Sequence, residues 1–206
     1  MTQTHLLAAF FERSSDKRFD DTELAKALFR LPSLAVKGPW LAGGALRRTL
    51  LGQPLDSDFD FFFRDATQLE GFELTLKSRG FTKVRETEHH VHYRGPLEDG
   101  GPARDIQMIR FRFYESAEEV IDSFDFTICQ LAFDGLRLTC GEHALWDLGR
   151  KRLAVHKITY PVASMRRLLK YATQGFFACP GAMQALLRET IEKPALQAQF
   201  STTYVD

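Results

Sequence analysis

Two adjacent glycines at the end of an apolar run, followed by a short helical stretch and then an Asp-x-Asp strand, constrain this chain more than any other feature. The segment reads Trp40-Leu-Ala-Gly-Gly-Ala-Leu-Arg-Arg-Thr-Leu-Leu-Gly-Gln-Pro-Leu-Asp-Ser-Asp-Phe-Asp-Phe-Phe-Phe63. Its apolar part, Ala35 to Ala42, runs into Gly43-Gly44; a helix is expected from about Ala45 to Leu51, Gly52-Gln53-Pro54 stops it, and Phe59 to Phe63 reads as a strand. Paired glycines at a strand-to-helix junction let a polyphosphate approach backbone N–H groups where the helix dipole favours negative charge. Arg47 stands in the first turns of that helix. Asp58 and Asp60, two apart in a strand, point to one face, so a divalent cation can bridge them.

The rest of the chain alternates strand and helix patterns. Residues 4–12 and 21–30 read as helices, the second capped by Asp20 or Asp21, with Leu24, Leu28 and Phe29 as its apolar face and Pro32 beyond its end. A helix over 66–79 is closed by Gly80. Strands are expected at Phe81 to Thr87, Val91 to Arg94 and Ile106 to Phe113, then a helix at 116–122. Two further strands, Phe124 to Phe133 and Leu136 to Thr139, are joined by the hairpin signal Asp134-Gly135. The C-terminal part is helical, Ser164 to Gln174 and about Ala182 to Glu192. The fold class is α+β, with residues 1–160 as one domain whose N-terminal helices occupy 1–34, and 161–206 as a C-terminal helical segment.

Basic and acidic residues balance at 27 each, and this neutrality hides a segregation. From Leu148 to Arg188 the chain carries Arg150, Lys151, Arg152, Lys157, Arg166, Arg167, Lys170 and Arg188 and no carboxylate, while acids crowd at Asp56, Asp58, Asp60 and Asp65 and from Glu115 to Asp125. A metal beside a polyphosphate needs both. Cys129, Cys140 and Cys179 include no CxxC pair, which argues against a disulfide framework or a cysteine zinc site. No apolar run is long enough for a membrane helix, so a cytoplasmic protein with no membrane partner is expected. On a strand, His90 and His92 share a face without an acid or Cys at ligand spacing, so His89, His90 and His92 read as an exposed strand. Oligomeric state is left open.

The ordered segments resemble the nucleotidyltransferases of the polymerase-beta superfamily, most closely the catalytic head of class II CCA-adding enzymes and bacterial poly(A) polymerases. Gly43, Gly44, Arg47, Leu50-Leu51-Gly52 and Asp58-Phe59-Asp60 match that family's GG, Arg, Leu-Leu-Gly and Asp-x-Asp signature. Asp105-Ile-Gln-Met-Ile-Arg110 is similar to the strand bearing its third carboxylate. Asp125-Phe-Thr-Ile-Cys-Gln-Leu-Ala-Phe-Asp134 is similar to its Asp-Phe-Thr-Ile-Asn segment, and Asp147-Leu-Gly-Arg150 and Arg166-Arg-Leu-Leu-Lys170 fall where it has an Asp-Leu turn and an Arg-rich helix. The match spans about residues 36–177. The resemblance implies a polymerase-beta-like mixed sheet flanked by helices.

It also implies Mg²⁺- or Mn²⁺-dependent transfer of a nucleoside monophosphate from an NTP such as ATP to a hydroxyl, with an RNA or tRNA 3′ end as the acceptor. Asp58 and Asp60 would bind both metals and Asp105 the one that activates the acceptor. Gly43, Gly44 and Arg47 would hold the triphosphate, Arg167 and Lys170 would grip it or an RNA backbone, and Asp125 would hydrogen-bond the nucleotide or pair with a core arginine such as Arg110. The chain departs from the family at Arg48, Ser123-Phe124 and Cys129, and no Glu-Asp-x-x-Arg element follows Gly175. Two other readings therefore stand beside RNA-end addition: a toxin- or defence-type transferase that modifies tRNA or a protein, and a nucleotide- or RNA-binding pseudoenzyme.

Overall fold

The computed structural model describes residues 1–12, 18–97 and 101–192. Among the described residues ten strands are present: β1 (Gln3–Leu6), β2 (Trp40–Ala42), β3 (Phe59–Phe62), β4 (Thr82–Glu86), β5 (His90–Pro96), β6 (Ala103–Ile109), β7 (Leu131–Phe133), β8 (Arg137–Cys140), β9 (Arg152–Leu153) and β10 (Phe177–Ala178). The helices are α1 (Glu23–Arg30), α2 (Gly44–Leu50), α3 (Ala66–Ser78), α4 (Ala117–Asp122), α5 (Ala144–Gly149), α6 (Pro161–Thr173) and α7 (Pro180–Glu192). Eight strands form one mixed sheet in the order β1-β8-β7-β2-β3-β6-β5-β4, antiparallel throughout except between β3 and β6. The small β9–β10 pair is parallel.

Local chemistry sets the helix ends. Thr22 caps α1 by accepting the Ala25 N–H at 3.1 Å, Asp65 caps α3 through Gln68 N–H at 2.8 Å, and Ser116 caps α4. Pro161 opens α6, where its missing N–H is no loss. At the β7–β8 turn Gly135 adopts φ +98°, and the Asp134 carboxylate accepts from the backbone N–H groups of Leu136 and Arg137.

Alternation along the central strands divides the sheet's two faces. Leu41, Phe59, Phe61, Ile106, Met108 and Phe133 join the large core, which α1, α2 and α3 cover with Leu24, Ala27, Ala45, Leu46, Phe72 and Leu76. Leu168, Tyr171, Phe176 and Leu186 extend that same core into α6, α7 and the link between them. The opposite face carries Trp40, Ala42, Phe62 and Ala132, roofed by Val120 and Ile121 of α4 and by Tyr114. Asp60 lies on this second face, opposite Ala42 in the β2–β3 ladder and Gln107 in the β3–β6 ladder.

Three expectations are corrected. Residues 4–12 are not a helix: Gln3–Leu6 pair with Arg137–Cys140, and a 3₁₀ turn follows over Leu7–Phe10. Thr22 rather than Asp20 or Asp21 caps α1, and Phe29 is 84% exposed while Ala27 faces the core. Residues 124–133 are not one strand. Phe126 bridges Val155, a 3₁₀ turn takes Thr127–Cys129, and only Leu131–Phe133 enter the sheet. The expected polar tail lies mostly outside the described residues.

Candidate functional site

Asp58 and Asp60 meet at the entrance of β3, on the sheet face that α4 leaves open. Burial, then repulsion from Asp58, pushes the Asp60 carboxyl from its ordinary 3.8 up to about 7, while Lys170 and Arg167 pull it down. Three groups from separate segments thus act on the Asp60 carboxyl: Asp58, just before β3, and Arg167 and Lys170 of α6. Gln107 donates from Nε2 to Asp58 Oδ2 at 2.5 Å.

The glycine pair borders this point. Gly43 has φ +82°, a conformation L side chains rarely adopt, and a Cβ there would sit 3.7 Å from Asp60 Oδ2 and 3.9 Å from the Phe124 ring. A Cβ on Gly44 would sit 3.6 Å from Ser57 Oγ, a buried hydroxyl with no hydrogen-bond partner among the described residues. An orphaned hydroxyl, a bare turn and an acid pair short of positive charge suit a phosphate-bearing ligand with a hard divalent cation.

Asp105 shares this sheet face, two positions before Gln107, but both its oxygens are taken. His92 Nε2 lies 2.7 Å from Oδ1, and Arg94 donates to Oδ2 at 2.6 Å. Burial would raise the carboxyl's pKa, and these two bonds outweigh it and hold the group below its ordinary range. No group of three His, Cys, Asp or Glu side chains among the described residues is placed to hold a metal together. His90 and His92 are half-buried on the open face rather than on a free strand, and His90 is held below its usual pKa by burial and Arg85, with Asp58 opposing.

Arg47 is turned inward. It is 3% exposed, donates to Cys129 Sγ at 3.7 Å and Gln174 Oε1 at 3.1 Å, and lies 4.6 Å from the Tyr171 ring centroid and 5.7 Å from that of Phe176. These contacts lock α2 to α6. Asp125, 7% exposed, pairs with Arg167 at 2.7 Å and accepts from Ser164 Oγ at 2.8 Å, so its arginine partner comes from α6. Arg110 instead pairs with Glu86. Arg167 therefore touches Asp125 and also acts on Asp60, tying the acid pair to the helix that follows it by a hundred residues.

Sequence reasoning missed Gln107, Ser164 and Tyr171 as site-building residues. Gln107 was legible in principle, because it lies two residues from Asp105 and shares its face. Ser164 and Tyr171 carry no local signal; their roles depend on where α6 docks.

Residues 5–151 match the family described as Gabija anti-defense 2. The chain belongs to this family. It is 26% identical over 170 residues to Gabija anti-defense 2 of Bacillus phage SPbetaL7, an alignment covering 81% of the chain and 39% of that protein. Among solved structures it is similar to a Thermotoga maritima CCA-adding enzyme complexed with tRNA (TM-score 0.62, 19% identity, 98% of this chain and 48% of that one). A CCA-adding enzyme in complex with CTP gives TM-score 0.61 at 18% identity, covering 95% and 48%. The fold of this Gabija anti-defense 2 family member is thus similar to that of CCA-adding enzymes, and the chain spans less than half the length of these relatives. No helix among the described residues is long and apolar enough to cross a membrane.

Proposed function

We propose that this family member transfers a nucleoside monophosphate from an NTP to a hydroxyl acceptor, and that the transfer serves to counter a host defence response. The observation that carries this reading is that Asp60, beside the bare Gly43 turn, is acted on both by the neighbouring Asp58 and by two cations of α6, Arg167 and Lys170. An acid pair alone would repel a triphosphate, and a cation pair alone would bind any anion. Together they suit a polyphosphate with a divalent cation between.

Asp58 and Asp60 would hold Mg²⁺ or Mn²⁺, which when bound supplies charge to polarise the α-phosphate and to ease ionisation of the acceptor hydroxyl. Arg167 and Lys170 would take the non-bridging oxygens of the leaving pyrophosphate. Gly43 keeps the space beside Asp60 open, and Ser57 Oγ is free to donate to a phosphate at the turn. Arg47 serves as a positioning residue, since its cage on Tyr171 and Phe176 fixes the helix that brings the cations in. In the reaction the acceptor oxygen bonds to the α-phosphorus, the bond to the β-phosphate bridging oxygen breaks, and the hydroxyl proton passes to solvent.

An RNA or tRNA end is the acceptor the fold relatives favour, one of them having been solved with tRNA. Asp105, on the same sheet face, would serve as a third carboxylate only if His92 and Arg94 released it. That engagement favours a second reading, a nucleotide- or RNA-binding protein without turnover. Incubation of the purified protein with each labelled NTP, Mg²⁺ or Mn²⁺, and total RNA or lysate decides between them. Label on a macromolecule that vanishes in Asp58→Asn and Asp60→Asn supports transfer; saturable NTP binding with no label transferred under any condition supports the second reading.

A further inference from the structure

Away from the acid pair, cations and bare aromatic rings gather in a second place. Trp146 is 58% exposed and Phe177 is 73% exposed. The Arg150 guanidinium at the end of α5 lies 3.8 Å from the centroid of the Trp146 ring. Lys151 follows in a left-handed conformation, φ 54°, and its carbonyl accepts the Phe177 N–H at 2.7 Å. In the β9–β10 ladder Phe177 is in parallel register with Arg152, so the two exposed side chains leave the same side of the ribbon, while Leu153 turns into the core. Arg152 Nε reaches back to within 3.9 Å of Asp147 Oδ1 in α5. Trp146, Arg150, Lys151, Arg152 and Phe177 are therefore one continuous patch.

Its charge is only partly compensated, by the contact of Arg152 with Asp147. Asp147 is 2% exposed and already accepts the Thr127 hydroxyl at 2.7 Å, and among the described residues no carboxylate lies within ion-pair distance of Arg150 or Lys151. The rings are not explained by packing, because both stand outside the core. Large planar rings interleaved with two cations that have no ion pair, Arg150 and Lys151, and with the half-exposed Arg152 fit a flexible polyanion that itself carries planar groups: bases stack on the rings, and phosphates meet the cations.

We infer that this patch binds single-stranded nucleic acid, with bases on Trp146 and Phe177 and backbone phosphates on Arg150, Lys151 and Arg152. Its Phe177 follows the C-terminal end of α6, the helix whose Lys170 acts on Asp60. Binding stands by itself; that the strand is the acceptor rests on the proposed transfer.

The full chain, titrated with fluorescein-labelled U20 and T20 oligonucleotides by anisotropy and by tryptophan emission, tests this. Trp40 is wholly buried, so quenching on binding reports Trp146. The double variant Trp146→Ala/Phe177→Ala should lose at least about tenfold in affinity, with unchanged circular dichroism and melting. Arg150→Gln/Lys151→Gln should lower the slope of log affinity against log salt by about 0.7 per cation removed. Wild-type affinity in the double variant, no quenching, or competition by polyglutamate or phosphatidylserine vesicles as strong as by U20 would each overturn the inference. Asp60→Asn separates the two proposals. If it binds U20 as wild type does and wild type never extends the strand, the patch stands and RNA-end transfer falls; if wild type labels another acceptor and no oligonucleotide binds, transfer stands and the patch falls.

Discussion

Replacing Asp60 with Asn should stabilise the metal-free protein at neutral and alkaline pH, and by an amount that grows with pH. Asp60 ionises near 7 in the fold, through burial and the neighbouring Asp58, against 3.8 ordinarily. Between those values the folded state holds a proton that the unfolded chain has lost, so wild-type stability falls as pH rises through the window. At roughly 1.4 kcal/mol per pH unit the full displacement is worth about 4 kcal/mol. The carboxyl is half-buried, and water reaching it screens part of the repulsion, so a gain of about 2 to 4 kcal/mol is expected for Asp60→Asn at pH 8 relative to pH 4. Urea denaturation in EDTA at a series of pH values measures it. Saturating Mg²⁺ should then raise wild-type stability, by about 2.7 kcal/mol at a hundredfold excess over Kd, and leave the variant nearly unmoved. A constant offset between the two proteins from pH 4 to 8, or an equal Mg²⁺ response, would refute the account of Asp60 as a carboxylate held against Asp58 and relieved by a cation.

Arg47→Lys keeps the charge but loses the planar contact with Tyr171 and Phe176 and one of the bonds to Cys129 and Gln174; it should destabilise by about 2 kcal/mol in urea, and an unchanged midpoint would show that α2 and α6 need no such lock. Arg167→Gln leaves the buried Asp125 with Ser164 alone and should cost about 1 to 3 kcal/mol while raising the Michaelis constant for NTP; a change in stability with none in that constant would confine Arg167 to holding Asp125. Burial would raise Glu73, but hydrogen bonds from Tyr93, Lys77 and Lys83 bring it from 4.5 down to about 2, so its stabilisation is complete above 4.5 and lost as pH falls toward 2. Glu73→Gln should melt lower than wild type at pH 6 and close the gap by pH 2.5; a gap constant with pH would deny that these bonds act through the charge.

The parts of the fold legible in the sequence were those whose partners lie nearby in the chain. Helix 66–79 announces itself through Asp65, a helical pattern and Gly80, and the β7–β8 turn through Asp134-Gly135. The opposite holds for Gln3–Leu6, whose four residues become a strand only because Arg137–Cys140 offer a free edge far along the chain. Residues 124–133 read as continuous β by composition, yet the Asp125 carbonyl accepts from His156 N–H and the Thr127 hydroxyl bonds Asp147, and these two partners from the next segment bend the chain into a 3₁₀ turn.

The site divides along the same line, and the division explains why the charges had to be read over a long range. Asp58, just before β3, and Asp60 within it are two apart, so their proximity is legible from the local spacing alone. Nothing local says which cations face them. Arg47 is nearest in sequence and sits in the helix between the glycines and the acids, but it follows the turn of α2 into the core, where Tyr171 and Phe176 take its guanidinium. The cations that do act on Asp60 come from α6, where Asp125 pairs with Arg167 and Arg47 packs on Tyr171 of the same helix. The sequence trace of this arrangement was the acid-free run from Leu148 to Arg188: on a helix docked by its own arginine against a buried aspartate, any carboxylate on the facing side would have restored the repulsion that Arg167 and Lys170 relieve.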